Sequence, residues 1–409
     1  MKKIVLFVDL SLKIAVVVLF ALFLRFRKFL LRSDAASKRA IIVAPPGGGN
    51  IGDEALVQAT LQKFADFHCE IYVNSYGSYQ KETLSNGVAY EDPKLIYGNA
   101  VGLLKTLIAR REHFARASHL VIIGADIIDG AYNERASFTR IWVAILGRLL
   151  GCNTRILGFS LNAYPRMSCR LSLIAAQNIG VALFLRDPIS HSRALALGLK
   201  KAIACADVVF GDDRKDVYPL PPNIKDNGFV IVNVSGLIFK EDHSINDLVR
   251  IVDHIVHHGL KIILLPHVSR PGADDVAVCD KLFRSVPQHH ENIVYIRQLL
   301  SPKQIRYLCS HSVLIVSGRM HLGVMALSQK KCAFIFSSQG KVEGLLKMFG
   351  FSDFEIDSST SYSERVKALM DDVLDGKYYV ADATIKNVVE LSEKNFIDLT
   401  PSSVVKAAV

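Results

Sequence analysis

The chain has 409 residues and is 50% hydrophobic, which is enough for two domains that each bury a core and excludes a disordered protein. Its formal net charge of +10 would suit a nucleic-acid-binding protein only if the basic residues were spread over the surface. Instead, residues 1–40 hold nine Lys or Arg and two Asp, and the other 369 residues carry 40 basic and 37 acidic side chains. We therefore predict no nucleic-acid partner.

Seven cysteines are scattered through mostly apolar sequence, and they show no spacing typical of a metal site. This pattern is typical of buried thiols in a protein of a reducing compartment. We predict neither a bound metal nor a cofactor.

Residues 1–32 are predicted to form a helix that contacts a membrane. Their apolar run is broken by Asp9 and Lys13 and ends in four Lys or Arg between positions 25 and 32. The uninterrupted part, Ile14–Leu24, is shorter than the roughly 20 residues that span a bilayer. We favour a helix lying in the interface on the cytoplasmic side, with its basic residues held by anionic headgroups. A signal anchor that spans the membrane is the alternative.

A glycine-rich loop follows a predicted strand at Ala40–Ala44 and precedes a predicted helix at Ala55–Phe67. Its glycines at positions 47, 49 and 52 have the G-x-G-x-x-G spacing of a dinucleotide-binding loop. However, no acidic residue that could bind a ribose ends the next strand, Glu70–Asn74, and no Lys-Ser or Lys-Thr pair follows as in a P-loop. The sequence thus supports neither nucleotide-binding motif.

The same loop can still bring its backbone close to a ligand at the start of a helix. Gly49 allows the close approach, and Asn50 and Asp53 are the candidate polar contacts. The alternative is a tight turn that serves packing alone.

From residue 40 onward, short β-rich runs alternate with amphipathic segments, which indicates α/β domains with parallel sheets covered by helices on both faces. We predict one doubly wound, Rossmann-like domain at 40–215, a second at 228–358 and a helical tail at 359–409. Linkers are predicted at 33–39 and 211–227. Ligands of such sheets lie at the carboxyl ends of the strands, so we expect a cleft between the two domains. Among the predicted helices are Val101–Ser118, Ile245–His258 and Ser361–Leu391.

The turn at Ser317–His321 lies between a predicted strand, Val313–Val316, and a predicted helix, Leu322–Leu327. This order places Arg319 and His321 at a helix N-terminus, where unpaired N–H groups and the helix dipole favour an anion. An Arg fork and an imidazole would add charge and a titratable group. The alternative is a surface Arg beside a capping His.

Four short motifs follow one another along the chain. They are Gly-Asn-x-Gly-Asp-Glu at Gly49–Glu54, Leu-Arg-Asp-x-x-Ser at Leu185–Ser190, Arg-x-His at Arg319–His321 and Lys-Val-Glu-Gly at Lys341–Gly344. In this order and spacing, the chain resembles the polysaccharide pyruvyl transferase family from about Ile41 to Gly350. The resemblance implies two Rossmann-like domains facing a cleft, as in GT-B glycosyltransferases. It also implies an enzyme that transfers a pyruvyl group from phosphoenolpyruvate to sugar hydroxyls of a polysaccharide or its lipid-linked precursor.

Phosphoenolpyruvate carries a phosphate and a carboxylate on a small frame, so its site needs several converging cations. Arg186, Arg319 and Lys341 are the candidates. Transfer also requires a proton for the methylene carbon, and His321 is the candidate general acid or base, because histidine is the residue type most often used for this role. The carbohydrate acceptor and the membrane surface are the other predicted partners.

Two other classes of protein remain open. One is a GT-B-type sugar-nucleotide glycosyltransferase of surface polysaccharide synthesis, which would need a residue that reads ribose or uracil in the second half of the chain. The other is a non-catalytic, membrane-associated assembly protein that kept the fold, against which the presence of Arg319 and His321 argues.

Other polar residues are assigned lesser roles. His254, His257 and His258 have helical spacing, but no carboxylate or Cys clearly completes a ligand set, so a solvated helix face is favoured over a metal site. Asp187 is expected to orient Arg186 through an ion pair.

Overall fold

The computed structural model describes residues 2–31, 38–75, 79–222, 224, 228–239, 243–337, 341–397 and 399. Parts of both predicted linkers, at 33–37 and within 223–227, lie outside these residues. The described chain divides into two compact units. The first unit takes its residues from 1–47, 56–208 and 391–409, and the second from 48–55 and 209–390. The second half of the glycine-rich loop therefore belongs to the second unit, although the chain on either side of it belongs to the first.

The first unit is built on a parallel sheet. Its strands are β1 (Arg39–Val43), β2 (His68–Val73), β3 (Val88–Glu91), β4 (His119–Ile123), β5 (Asn153–Phe159), β6 (Ala182–Leu185) and β7 (Ile203–Ala204). They lie in the order β3-β2-β1-β4-β5-β6-β7. The central strands are nearly continuous runs of buried Val, Ile and Leu, as expected when helices cover both faces.

The helices up to β7 are α1 (Lys2–Leu31), α2 (Ile51–Lys63), α3 (Lys94–Tyr97), α4 (Ala100–Ala109), α5 (Arg111–Arg116), α6 (Glu134–Leu149), α7 (Met167–Asn178) and α8 (Pro188–Ala196). The predicted helix Val101–Ser118 is thus two helices. The chain leaves helical geometry at Arg110, which has φ −105° and ψ 16°, and α5 begins at the next residue.

The second unit repeats the architecture with a six-stranded parallel sheet. Its strands are β8 (Phe229–Asn233), β9 (Lys261–Leu264), β10 (Ile293–Tyr295), β11 (Ile315–Ser317), β12 (Ala333–Phe336) and β13 (Glu355–Ile356). They lie in the order β10-β9-β8-β11-β12-β13. The strand order reverses between β8 and β11, and a reversal of this kind opens a crevice at the carboxyl ends of the strands, where doubly wound folds bind ligands. The two sheets confirm the predicted pair of doubly wound, Rossmann-like domains.

The remaining helices are α9 (His243–His257), α10 (Asp275–Ser285), α11 (Pro302–His311), α12 (Met320–Ser328), α13 (Val342–Lys347), α14 (Ser363–Leu374) and α15 (Asp382–Glu393). The sequence reading missed α10, which starts at an Asp274 cap shortly after a Pro-Gly turn. The predicted helix Ser361–Leu391 is also two helices, because the chain breaks between Leu374 and Asp382.

Helix α1 packs on the first unit along one face. Leu10, Val17 and Leu24 are buried in the same apolar core as residues of α4 and α6. Its segment Lys3–Phe26 is long and apolar enough to cross a membrane, by length and composition. In the structure, the same segment also contributes one of its faces to the apolar core of the first unit.

The two charged residues inside α1 point toward the protein. The backbone N–H of Ala100 donates to Asp9 Oδ1 at 2.9 Å, and Arg135 lies 3.2 Å from Asp9 Oδ2. Lys13 is fully buried, donates to Thr139 Oγ1 at 2.8 Å and pairs with Asp9 at 3.5 Å. Burial lowers the pKa of the Lys13 ammonium to about 8, with Asp9 opposing the shift.

We expect Lys13→Ala to destabilise the protein by about 3 kcal/mol, because it leaves Asp9 buried with one cation fewer. Lys3→Ala is the matched control, since Lys3 is exposed on the same helix, and it should change stability by less than about 0.5 kcal/mol. Urea unfolding of the two variants measures the difference. Equal midpoints would show that the buried charges do not hold α1 in place.

Candidate active site

The Arg-x-His turn lies at the carboxyl end of β11, where the strand order of the second sheet reverses. Ser317 shapes the turn, because its Oγ accepts from the backbone N–H of Arg319 at 2.9 Å and donates to the Arg319 carbonyl at 2.9 Å. At Gly318, a Cβ atom would lie 2.5 Å from Cβ of Ser235, so only glycine fits against the segment that follows β8. Helix α12 begins at Met320. The predicted strand, turn and helix are all present.

Arg319 is held by a buried carboxylate that the sequence reading missed. Its Nε lies 3.1 and 3.2 Å from the two oxygens of Asp275, its Nη2 donates to Asp275 Oδ1 at 2.5 Å, and Nη2 also donates to the Ala273 carbonyl. Within the described chain, no hydrogen bond involves Nη1. Most of the guanidinium hydrogen bonds of Arg319 are thus made to Asp275, and its Nη1 remains for a ligand.

Asp275 is fully buried and accepts hydrogen bonds from several segments. Asn233 Nδ2 and the backbone N–H groups of Gly236, His267 and Val268 donate to it at 3.0–3.1 Å. These bonds fix the ends of β8 and of the loop after β9 around the Arg319 guanidinium.

The second half of the glycine-rich loop packs against the loop after β9. Gly49 has φ +66°, and a Cβ there would lie 2.2 Å from the Ser269 carbonyl oxygen. The Gly49 carbonyl accepts from Ser269 N–H at 2.8 Å, and Ile51 N–H donates to the His267 carbonyl at 3.1 Å. Gly49 therefore makes its close approach to protein backbone.

Asn50 starts helix α2. Its Oδ1 accepts from the backbone N–H of Gly52 at 3.0 Å, and its backbone forms an antiparallel bridge with Val268. The side chain thus caps the helix, a role that the sequence reading did not assign. Asp53 is buried in the first turn of the same helix.

Gly52 brings the loop and the Arg-x-His turn together. A Cβ at position 52 would lie 2.5 Å from Nδ1 and 2.8 Å from Cβ of His321, so the His321 side chain occupies the space that any other residue would need. The two motifs that the sequence reading singled out separately are neighbours within the second unit.

His267 is a second imidazole at this place. It is buried, and neither ring nitrogen has a hydrogen-bond partner among the described residues. Burial lowers its pKa well below the usual value, and the charges of His321 and Arg319 add to the effect. The ring is therefore neutral at physiological pH, with one donor and one acceptor unpaired. A buried polar group without a partner is costly, which is why such a group in a crevice points to a ligand.

The sequence offered one signal for His267. It stands three residues beyond the end of β9, after Leu265-Pro266, and the carboxyl ends of parallel strands meet at one edge of a sheet.

Lys341 and Arg186, the other predicted cations, lie in different units. Lys341 is buried at the N-terminus of α13, after strand β12, which neighbours β11. Arg186 is buried in the first unit, where its Nη1 pairs with Asp207 at 2.9 Å and its Nε donates to Ser160 at 2.7 Å. The expected ion pair with Asp187 is wrong, because Asp187 instead caps α8 by accepting from Ser190 N–H at 2.7 Å.

The histidines at the end of α9 form a largely solvated face, as expected, because His257 and His258 are exposed and His254 is half-buried. Nε2 of His254 and of His258 lie 2.7 and 2.9 Å from the same oxygen of Asp371 on α14, so the pair joins two helices. Together these three residues have the donor types of a metal site, with all three atoms within 4.8 Å of one another. The carboxylate that the sequence reading found lacking comes from a residue more than a hundred positions away.

Comparison with solved structures reveals the fold of this chain in other proteins. The UDP-GlcNAc 2-epimerase of Methanocaldococcus jannaschii is similar with a TM-score of 0.57 and 12% identity, covering 88% of this chain and 98% of that one. The epimerase of Neisseria meningitidis, bound to UDP-GlcNAc, has a TM-score of 0.55 and 12% identity, covering 90% and 99%. HepE of Anabaena, in complex with UDP and glucose, has a TM-score of 0.51 and 12% identity, covering 91% and 100%. At such low identity, these similarities show the two-domain fold alone.

No curated protein sequence matches the chain. A family model described as polysaccharide pyruvyl transferase matches residues 50–340, which include the Arg-x-His turn, His267 and Asp275. This match covers well over half of the chain, so the protein belongs to the polysaccharide pyruvyl transferase family.

Proposed function

We propose that the protein transfers a pyruvyl group from phosphoenolpyruvate to sugar hydroxyls of a polysaccharide or of its lipid-linked precursor. The observation that carries the proposal is the grouping of Arg319, His321 and the unpaired His267 at the N-terminus of α12, in a chain of this family. A helix N-terminus, an Arg edge and a neutral imidazole donor suit a small ligand with two anionic groups.

In the proposed reaction, Nη1 of Arg319 and the N-terminus of α12 bind an anionic group of the donor, and buried Lys341 supplies a further cation. Protonated His321 gives its proton to the methylene carbon, which becomes a methyl group and leaves the adjacent carbon electron-poor. A sugar hydroxyl attacks that carbon and gives its proton back to His321. Attack by a second hydroxyl breaks the bond from carbon to the phosphate oxygen and closes a cyclic ketal, and the proton of this hydroxyl leaves with inorganic phosphate. Arg186, the third predicted cation, lies in the first unit, where it pairs with Asp207.

We also place the enzyme on the cytoplasmic side of a membrane, with residues 1–32 as the contact. All seven cysteines are buried thiols, which suits a reducing compartment. The face of α1 turned away from the protein is apolar, and a lipid-linked acceptor would be presented at the membrane surface.

Isothermal titration of phosphoenolpyruvate, UDP-sugars and GDP-sugars against the protein tests the donor. We expect heat from phosphoenolpyruvate and none from the nucleotide sugars. Binding of a nucleotide sugar without binding of phosphoenolpyruvate would instead support the GT-B-type glycosyltransferase that the sequence left open.

His321→Gln should lower kcat by about 10²–10⁴ and leave donor affinity within a few-fold, because glutamine keeps size and polarity but cannot transfer a proton at neutral pH. His311→Gln, an exposed histidine at the end of α11, is the matched control and should keep full turnover. Single-turnover rates and Tm are measured on both. Normal chemistry in folded His321→Gln would remove His321 from the mechanism.

Arg319→Lys should affect binding and stability together. Lysine keeps the charge but loses the fork that pairs with Asp275, so donor binding should weaken by on the order of 1.5–3 kcal/mol and Tm should fall. Titration and calorimetry on one sample check both. A lower Tm with unchanged donor affinity would show that Arg319 only holds the loop.

Gly52→Ala should lower turnover by at least about tenfold, because the new methyl group displaces the His321 ring, and small misplacements of catalytic groups are costly. Gly102→Ala, whose Cβ would meet its nearest atom at 3.4 Å, is the control and should be active.

Millimolar NAD or NADP should not shift the Tm of the wild-type protein. A clear shift with either would support the dinucleotide site that the glycine spacing first suggested.

His267→Phe should separate stability from donor binding. Phenylalanine keeps a buried ring but removes two unpaired polar atoms, so Tm should hold or rise, whereas donor affinity should fall by about 1–3 kcal/mol. Calorimetry and titration provide the two values. A lower Tm with normal affinity would mean that the imidazole serves packing.

A further inference from the structure

Helix α1 has the reverse of the polarity expected for a helix on the surface of a water-soluble domain. Its two interior charges, Asp9 and Lys13, are buried against the protein. Among its described side chains, ten large apolar residues between Ile4 and Phe26 are 38–72% exposed, with Phe7 and Leu19 among the most exposed. A surface helix in water shows its polar side outward. An apolar outer face of this extent marks a surface that another apolar body covers.

Helix α4 continues this apolar surface. It packs beside α1, and its Val101, Leu104 and Ile108 are 58%, 37% and 50% exposed. A groove of about 470 Å³ runs between the two helices, with Phe23 on one wall and Arg111 among its lining residues. The surface is therefore formed by two helices from separate parts of the sequence, and not by the N-terminal segment alone.

The exposed charges in and beside the two helices are mainly basic, and Glu112, which pairs with Arg111 at 3.9 Å, is an acidic neighbour. Asp9 is the only acidic residue in either helix, and it is buried. Lys3, Arg25, Lys105 and Arg111 are exposed in or beside the two helices. Apolar side chains bordered by basic ones match the hydrocarbon and headgroup layers of an anionic bilayer.

The packing of α1 also decides its orientation. One whole stripe of the helix, from Leu10 to Leu24, is covered by the first unit, and Asp9 and Lys13 bond to α4 and α6. A helix that crossed a bilayer would leave these partners and carry both charges into hydrocarbon, where each is unfavourable.

We infer that the outer faces of α1 and α4 form one platform that lies in the plane of an anionic lipid bilayer, with lipid chains in the groove between the helices, and that α1 does not span the membrane. The inference rests on exposure, packing and charge in the first unit, and it holds whichever reaction the second unit supports.

Vesicle co-sedimentation of the full chain tests the platform, using phosphatidylcholine vesicles with and without phosphatidylglycerol. Phe23→Asp on α1 and Ile108→Asp on α4 should each reduce binding to anionic vesicles by about tenfold or more. Leu171→Asp is the matched control, because Leu171 is an equally exposed apolar residue on α7, and it should bind like the wild type. Tm should be unchanged in all three, since each side chain is at the surface.

If Ile108→Asp bound anionic vesicles as well as the wild type does, α4 would be excluded from the platform and the inference overturned. The inference would also be overturned if the wild-type protein did not sediment with anionic vesicles. Light scattering tests the alternative that a second copy of the chain covers this surface. If Phe23→Asp and Ile108→Asp turn a dimer into a monomer without changing vesicle binding, the surface is a subunit interface and the inference is wrong.

Cysteine labelling in sealed membrane vesicles tests the orientation. Lys3→Cys and Tyr164→Cys place thiols at the start of α1 and on the exposed surface of the first unit, and the native cysteines are buried. A membrane-impermeant maleimide should react with both variants from the same side. Reaction from opposite sides would show that α1 crosses the membrane.

Discussion

The buried carboxylate of Asp275 joins segments that lie far apart in the sequence. Its oxygens accept hydrogen bonds from the end of β8, from the loop after β9 and from Arg319 beyond β11. An uncompensated carboxylate in a protein interior costs several kcal/mol, so these partners are required as a set. The loop after β9 in turn bonds to the glycine-rich loop. The position of every candidate residue of the second unit except Lys341 is thus tied to one side chain.

This arrangement changes the electrostatics that the motif alone suggests. Arg319 pairs with Asp275, so the two charges largely cancel at a distance. In the proposed reaction, the attraction for an anion then depends on the N-terminus of α12, on His321 and on Lys341. Arg319 can still orient a ligand through directional hydrogen bonds, because its own position is fixed before a ligand arrives. A site of this kind recognises geometry more than total charge.

The sequence predicted what depends on local pattern. The strands around Ile41 and Val316, the turn at Gly318 and the two doubly wound domains follow from hydrophobic runs and turn residues. It could not predict pairings between distant segments. Two such pairings are Arg186 with Asp207, where Asp187 was expected, and His254 with Asp371. Both depend on how strands and helices come together.

The missed residues of the candidate site have the same cause. Asp275 was passed over because α10 was not recognised, and His267 because a single histidine after a strand carries no spacing. Gly52 was noted only as part of the glycine spacing, whereas the structure places it against the His321 side chain. In each case, the residue type was visible and its partner was not.

The burial of Lys13 and Asp9 of α1 against the rest of the first unit has a consequence for how the protein could be released into solution. An anchor joined to its domain by a linker can be cut off by a protease and leave an intact enzyme. Here the inner stripe of the helix completes the apolar core of the first unit, so cutting it away would uncover α4 and α6. If the outer face lies on a membrane as we infer, solubilisation calls for a detergent that covers this face, and not for a shorter chain.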